Sequence, residues 1–192
     1  MQAILNAFAD LGLWGIFFLM ALESSLFPVP SELVMIPAGI LVAQGKYALW
    51  EAILVGGLGS LLGASVNYTI GKYWGKPFIL KYGKYFFIKH NKYLEAEVLF
   101  LKNANWYTFL GRLLPVIRHL ISIPAGIFRM NIPVFAVITF VGATLWCSIL
   151  VLLGYYFGEP VIAIFEKYFF EVKILVLVGM VAFVVWFFKK KR

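Results

Sequence analysis

Four charged side chains stand where the surrounding sequence is apolar: Glu23, Glu32, Arg112 and Arg118. His119 adjoins the second arginine. Charges at membrane depth are costly, and by default they mark substrate pathways or proton relays. A guanidinium is planar, always charged and able to fork onto two oxygens, which suits Arg112 and Arg118 to a phosphate group. A carboxylate in an apolar cavity answers to its surroundings. Desolvation favours the neutral form, and a nearby guanidinium favours the charged one. Glu23 and Glu32 are therefore the candidates for coupling to protons. His119 is an accessory candidate, or it satisfies a neighbouring carbonyl. Asn67 lies in an apolar run beside Tyr68, and an interhelical hydrogen bond is its expected role. The pattern predicts a cavity with carboxylates on one wall and guanidiniums on the other. The rival reading is two buried Glu–Arg pairs that only fix the fold. Buried pairs are poor stabilisers in general, so the binding reading is preferred.

The elements that would hold these residues are membrane helices. Of 192 residues, 62% are hydrophobic, and the mean hydropathy is +0.90. A soluble domain is roughly 45–50% apolar, and a soluble core of this length could not hide the excess. About 20 helical residues cross the hydrocarbon. Residues 48–71 and 132–158 read as clean spans, and residues 172–188 as a C-terminal transmembrane helix ending in Lys189, Lys190, Lys191 and Arg192. Residues 12–43 and 106–128 are apolar but broken. Pro28 and Pro30 interrupt the first, Pro115 and Pro124 the second. Proline removes a donor and clashes with the preceding turn, and irregular backbone at membrane depth must be enclosed by protein or line a cavity. Pro28, Pro30, Pro37, Pro115 and Pro124, with Gly39 and Gly126, are thus expected to be architectural, breaking helices and letting them pack closely. Residues 72–105 carry seven lysines among Tyr, Trp and Phe, the make-up of an amphipathic segment at the headgroup level.

The formal charge is +8. In a soluble chain that would raise nucleic acid as a partner. Here basic residues flanking apolar spans mark the cytoplasmic side, and no nucleic-acid partner is expected. The lysine-rich linker and the C-terminus are then cytoplasmic. The loop with Glu159, Glu166 and Glu171 belongs outside. Cys147 is the single cysteine and suggests neither a disulfide nor a metal site. The N-terminus lacks a basic leader pattern and reads as mature protein.

An internal repeat supports this layout. An offset of 87 residues carries residues 28–40 onto 115–127 with 8 identities in 13 positions, including Ile36-Pro37-Ala38-Gly39-Ile40 onto Ile123-Pro124-Ala125-Gly126-Ile127. The same offset carries Tyr68 onto Tyr155 and Gly71 onto Gly158. The expected fold class is all-α integral membrane. It is an inverted repeat of two opposed re-entrant helical hairpins, each followed by a transmembrane helix, with a C-terminal transmembrane helix added. Repeat 1 covers about 12–71, the cytoplasmic amphipathic linker 72–105, and repeat 2 about 106–158, all within one domain, 1–192. Inverted repeats with broken helices are a mark of secondary transporters.

No Gly-rich phosphate loop, paired metal-spaced histidines or nucleophile elbow is present, so no enzyme, metal or cofactor is expected. Glu23-Ser-Ser-Leu-Phe-Pro28-Val-Pro30-Ser-Glu32 resembles the first signature of the DedA membrane protein family. Gly111-Arg112-Leu-Leu-Pro115-Val-Ile-Arg118, with Ile123-Pro124-Ala125-Gly126, resembles its second. The family is similar to the eukaryotic VTT-domain scramblases. The resemblance implies opposed re-entrant hairpins and lipid translocation across a bacterial inner membrane, of undecaprenyl phosphate in some members and phosphatidylethanolamine in others. It implies dependence on the proton motive force, with Glu23, Glu32, Arg112 and Arg118 as essential residues. The expected function is a flippase for a polyprenyl phosphate. The alternatives are a phospholipid flippase or scramblase, a proton-coupled transporter of small ions or drugs, and a non-transporting envelope scaffold. Membrane lipid and protons are the expected partners, and a homo-oligomer is compatible with the sequence.

Overall fold

The computed structural model describes residues 2–25, 30–75, 77–79, 90–114, 117–158 and 160, with backbone alone for 2–10 and 90–93. The expected C-terminal helix, and the breaks' own prolines Pro28 and Pro115, lie outside the described residues. Among the described residues every regular element is helical. In chain order they are α1 (Gln2–Glu23), α2 (Glu32–Ala43), α3 (Leu49–Ile70), α4 (His90–Lys102), α5 (Ala104–Leu113), α6 (Ile117–Leu120), α7 (Ser122–Ile127) and α8 (Ile132–Phe157). Gly12, at φ +61°, kinks α1 in a backbone region that glycine enters without a Cβ penalty.

Among the described residues, two elements are long and apolar enough to cross a membrane. One is Leu49–Gly75, at 27 residues; the other is Ile132–Phe157, at 26. At 1.5 Å per residue each is about 40 Å long, more than the roughly 30 Å of hydrocarbon. The first continues past the expected end at residue 71, because a π-helical turn, Gly71–Gly75, extends α3. Each exposes a stripe at i+4 spacing: Leu54, Leu58, Leu62 and Val66 on α3, and Val137, Val141, Leu145 and Ile149 on α8. Long contiguous stripes of exposed apolar side chains suit lipid, not water.

The shorter helices pack against these spans in a matched, crossed pattern. α1 lies along α3, and α5 along α8. The second arms are exchanged, with α2 against α8 and α7 against α3. Glycine makes both crossings close. A Cβ at Gly39 would meet the Val151 carbonyl, and one at Gly154 the Ile36 carbonyl. Likewise a Cβ at Gly126 would meet the Tyr68 carbonyl, and one at Gly71 the Ile123 carbonyl. Small residues are how membrane helices bring backbones together where lipid supplies no hydrophobic drive.

These contacts revise the expected register. Gly39 and Gly126 correspond at the 87-residue offset, but their partners Gly154 and Gly71 correspond at 83. Tyr68 and Gly71 therefore match Val151 and Gly154, not Tyr155 and Gly158. The reason is local. Leu49 lies ten positions after Gly39 and Ile132 six after Gly126, so the second connection is one helical turn shorter. Both connections still end their short helix the same way. Gly45 N–H donates to Val42 O and Lys46 N–H to Leu41 O, while Arg129 N–H donates to Gly126 O and Met130 N–H to Ala125 O. This is the paired 5→2 and 6→1 closure of a Schellman motif, with Gly45 (φ 76°) and Arg129 (φ 53°) left-handed.

Pro37 and Pro124 do not break helices. Pro37 sits inside α2, and Pro124 is the third residue of α7, where a first-turn N–H has no intrahelical partner to lose. Pro30 stands just before α2, and its carbonyl accepts from Leu33 N–H at 3.1 Å.

Gly39→Ala and Gly126→Ala should each force a helix pair apart. Overpacking of this kind costs about 1–3 kcal/mol. Thermal unfolding in detergent would register it as a lowered Tm for both variants, with Gly45→Ala hurting through its φ alone.

Candidate functional site

The two breaks, after Glu23 and after Leu113, come together between the spans. Glu23 is the last residue of α1, and Glu32 is the first of α2. Arg112 lies in the last turn of α5, and Arg118 and His119 lie on α6. Helix ends are ready-made for charge. The positive N-terminal end favours Glu32, and the negative C-terminal end favours Arg112. Glu23 is the exception, a carboxylate at the end whose dipole opposes it.

Arg118 compensates. Its Nη2 forms an ion pair with Glu23 Oε1, and both side chains are buried. Ser24 Oγ donates to the other oxygen, Oε2, at 2.7 Å. His119 adds to the junction, with Nδ1 3.1 Å from the Glu23 carbonyl oxygen and Nε2 3.8 Å from Oε1. Asn67 Nδ2, from α3, donates to the carbonyls of Ser24 at 3.1 Å and His119 at 3.2 Å. One amide thereby staples both breaks to the first span. From the second span, the Trp146 ring lies 5.3 Å from the Arg118 guanidinium carbon, and its Nε1 donates to Ser31 Oγ at 3.3 Å.

Arg112 is held differently. It is 3% exposed. Its Nη2 donates to Ser122 Oγ at 2.5 Å, and its guanidinium sits 6.0 Å from the Phe135 ring. Among the described residues no carboxylate pairs with it, and its Nε has no hydrogen-bond partner. Arg112 and Arg118 both line a cavity with Ser24, Ser60, Ala143, Trp146 and Cys147. The cavity is small, about 10 Å³, room for a single water.

The structure therefore brings Glu23, Arg118, His119 and Asn67 into direct contact, with Arg112 on the same cavity. Glu32 is buried beside Ser31, and Glu23 is a carboxylate that meets both Arg118 and His119. The 87-residue offset had set Glu32 opposite His119, and nothing in sequence gives the depth of Glu23 relative to α6. Gly39 and Gly126 pack on the opposite spans, away from the charges. Sequence reading passed over Trp146, Ser122 and Ser24. Their only signal is polarity or a ring nitrogen within an apolar run, which many lipid-facing residues share.

With the geometry in place, likeness to known proteins becomes informative. A family model for the VTT domain matches residues 29–156. The chain belongs to the VTT-domain, or DedA, family. It is 36% identical over 191 residues to the membrane protein YkoX of Bacillus subtilis (strain 168), covering 98% of this chain and 85% of that protein. It is 37% identical over 131 residues to undecaprenyl phosphate transporter A of the same organism, covering 68% of this chain and 66% of that protein. A protein of the same name from Staphylococcus aureus (strain NCTC 8325 / PS 47) is 32% identical over 157 residues, covering 80% and 77%. No solved structure matches. With its two long apolar helices and membrane-protein relatives, this VTT-domain chain is an integral membrane protein.

Breaking the buried pair from one side strands the other charge, at about 3–5 kcal/mol. Glu23→Ala and Arg118→Ala should each lower stability in detergent by that order. The double variant should recover much of the loss. Strictly additive losses would show that the two side chains are not energetically coupled.

Proposed function

We propose that this chain binds the phosphate of a membrane lipid between its two helix breaks and carries it across a bacterial inner membrane. The observation that carries the reading is Arg112. A guanidinium at membrane depth, buried, and among the described residues without a carboxylate or a partner for its Nε, is a cation awaiting an anion. Two relatives are named for undecaprenyl phosphate transport, and a prenyl phosphate is the substrate we favour. Its headgroup would sit at Arg112 and Arg118 while its tail stays in lipid.

A 10 Å³ cavity is too small for a phosphate, so the breaks must part to admit one. The Glu23–Arg118 pair is the natural latch. When Glu23 takes a proton, Arg118 loses its counter-charge and turns to the lipid phosphate. Loss of the proton restores the pair and ejects the headgroup. Glu32 stands by as a second carboxylate on the path. One charge moved through 100 mV is worth about 2.3 kcal/mol, enough to bias such a latch more than tenfold. In this frame the breaks are re-entrant hairpins entering from opposite sides, the repeats are inverted, and the C-terminus is cytoplasmic. Transport rather than catalysis is the reading.

The first test is lipid binding to purified protein, followed by thermal stabilisation with undecaprenyl phosphate, undecaprenol and phosphatidylethanolamine. The prenyl phosphate alone should stabilise the wild type. Arg112→Ala should weaken it about ten- to hundredfold, the loss of a hydrogen bond to a charged group. Arg112→Lys should recover little, because an ammonium cannot fork. Equal stabilisation by all three lipids, unchanged in the variants, would overturn the phosphate site.

Proton coupling has its own test in proteoliposomes. Glu23→Gln keeps the shape and removes the charge. It should still bind prenyl phosphate, while transport no longer responds to an imposed pH gradient. A response that survives Glu23→Gln and disappears in Glu32→Gln would move the relay to Glu32.

A further inference from the structure

The Arg112 guanidinium rests on one face of α8. It lies over the Phe135 ring, and a Cβ at Gly142 would come within 2.9 Å of the Arg112 Cβ. Residues 135 and 142 are seven apart, two turns of helix, and residue 139 lies between them on the same face. That residue is Thr139, 0% exposed.

Its hydroxyl has no hydrogen-bond partner among the described residues. Three other helical hydroxyls bond back to their own helix. Ser65, Thr69 and Ser148 all donate to the carbonyl four residues back, each at 2.7 Å. Thr139 forgoes that bond. Arg112 Nε, on the facing surface, is also without a partner. Buried polar atoms are nearly always satisfied, and two orphans on facing surfaces call for a third group. Ser122 supplies another donor. Its oxygen accepts from Arg112, which leaves its own O–H free to point elsewhere. Thr144 Oγ1 also lacks a partner among the described residues, but it packs against Gly57 on α3.

We propose that Thr139 and Ser122 complete the anion seat of Arg112, so that its guanidinium and two hydroxyls hold a phosphate monoester alongside Arg118. The proposal rests on the phosphate-binding reading above and names ligands that the charged residues alone do not reveal. All three groups donate. A tetrahedral phosphate end offers several acceptor oxygens and suits them, whereas a prenol offers a single hydroxyl.

The test measures dissociation constants for undecaprenyl phosphate, for inorganic phosphate and for undecaprenol. The proteins are wild type, Thr139→Val, Thr139→Ser and Arg112→Ala. Thr139→Val preserves shape and removes the hydroxyl. It should weaken undecaprenyl phosphate about tenfold, the scale of one hydrogen bond to a charged group. Thr139→Ser should keep the affinity, and undecaprenol binding should not change with either. Inorganic phosphate that competes, and weakens in parallel, supports a seat for the phosphate itself. Prenyl phosphate binding without such competition supports a seat that needs the lipid tail. If Arg112→Ala abolishes binding and Thr139→Val leaves it intact, the two-hydroxyl seat is overturned and phosphate binding stands. If Arg112→Ala changes nothing, both fall. A Thr139→Val protein that melts lower but binds with wild-type affinity overturns the seat as well, since the hydroxyl then serves only the fold.

Discussion

A charge left alone in an apolar slab is costly, and the bond between Glu23 and Arg118 follows from that constraint. The carboxylate sits at the wrong end of its helix, where the backbone dipole opposes it. Only the guanidinium from the other break makes it tenable. The pair therefore ties residue 23 to residue 118 across about half of the sequence. Asn67 and His119 add hydrogen bonds at the same junction. One polar knot thus joins the chain before the first break to the chain after the second.

The knot could not form without the close crossings on either side. α2 rests on the second span and α7 on the first through glycines that meet carbonyls directly. The exchange of second arms means that neither half can bury its short helix without the other. Apolar clusters fill the two ends, one around Met35, Ile36 and Leu150, the other around Tyr68 and Phe135. The charges lie between them. That placement buries them.

The two arginines have parted roles. Arg118 is stacked on Trp146 and neutralised by Glu23. Arg112 has aromatic and hydroxyl neighbours and, among the described residues, no counter-charge. On the proposed reading, the first is gated and the second is standing ready. A phosphate arriving at Arg112 would complete a half-made polar site, which is a stronger reason for phosphate than the mere presence of guanidiniums.

Much of this was legible in the chain. Apolar runs of span length, prolines two apart and two motifs repeated at a fixed offset dictated helices, breaks and a family likeness, because hydrophobic length and proline geometry act locally. The four charges stood out because hydrocarbon makes each one costly. What pairs with what was not legible. Glu32 looked equivalent to Glu23, and the repeat offset looked uniform through the spans. The difference came from a connection one turn shorter and from the depth at which α1 ends against α6, and both are set by how glycine faces settle against distant carbonyls. Thr139 and Trp146 gave no signal for the same reason. A hydroxyl or a ring nitrogen in an apolar run gains meaning only from the side chain packed across from it, and that neighbour is chosen by tertiary packing.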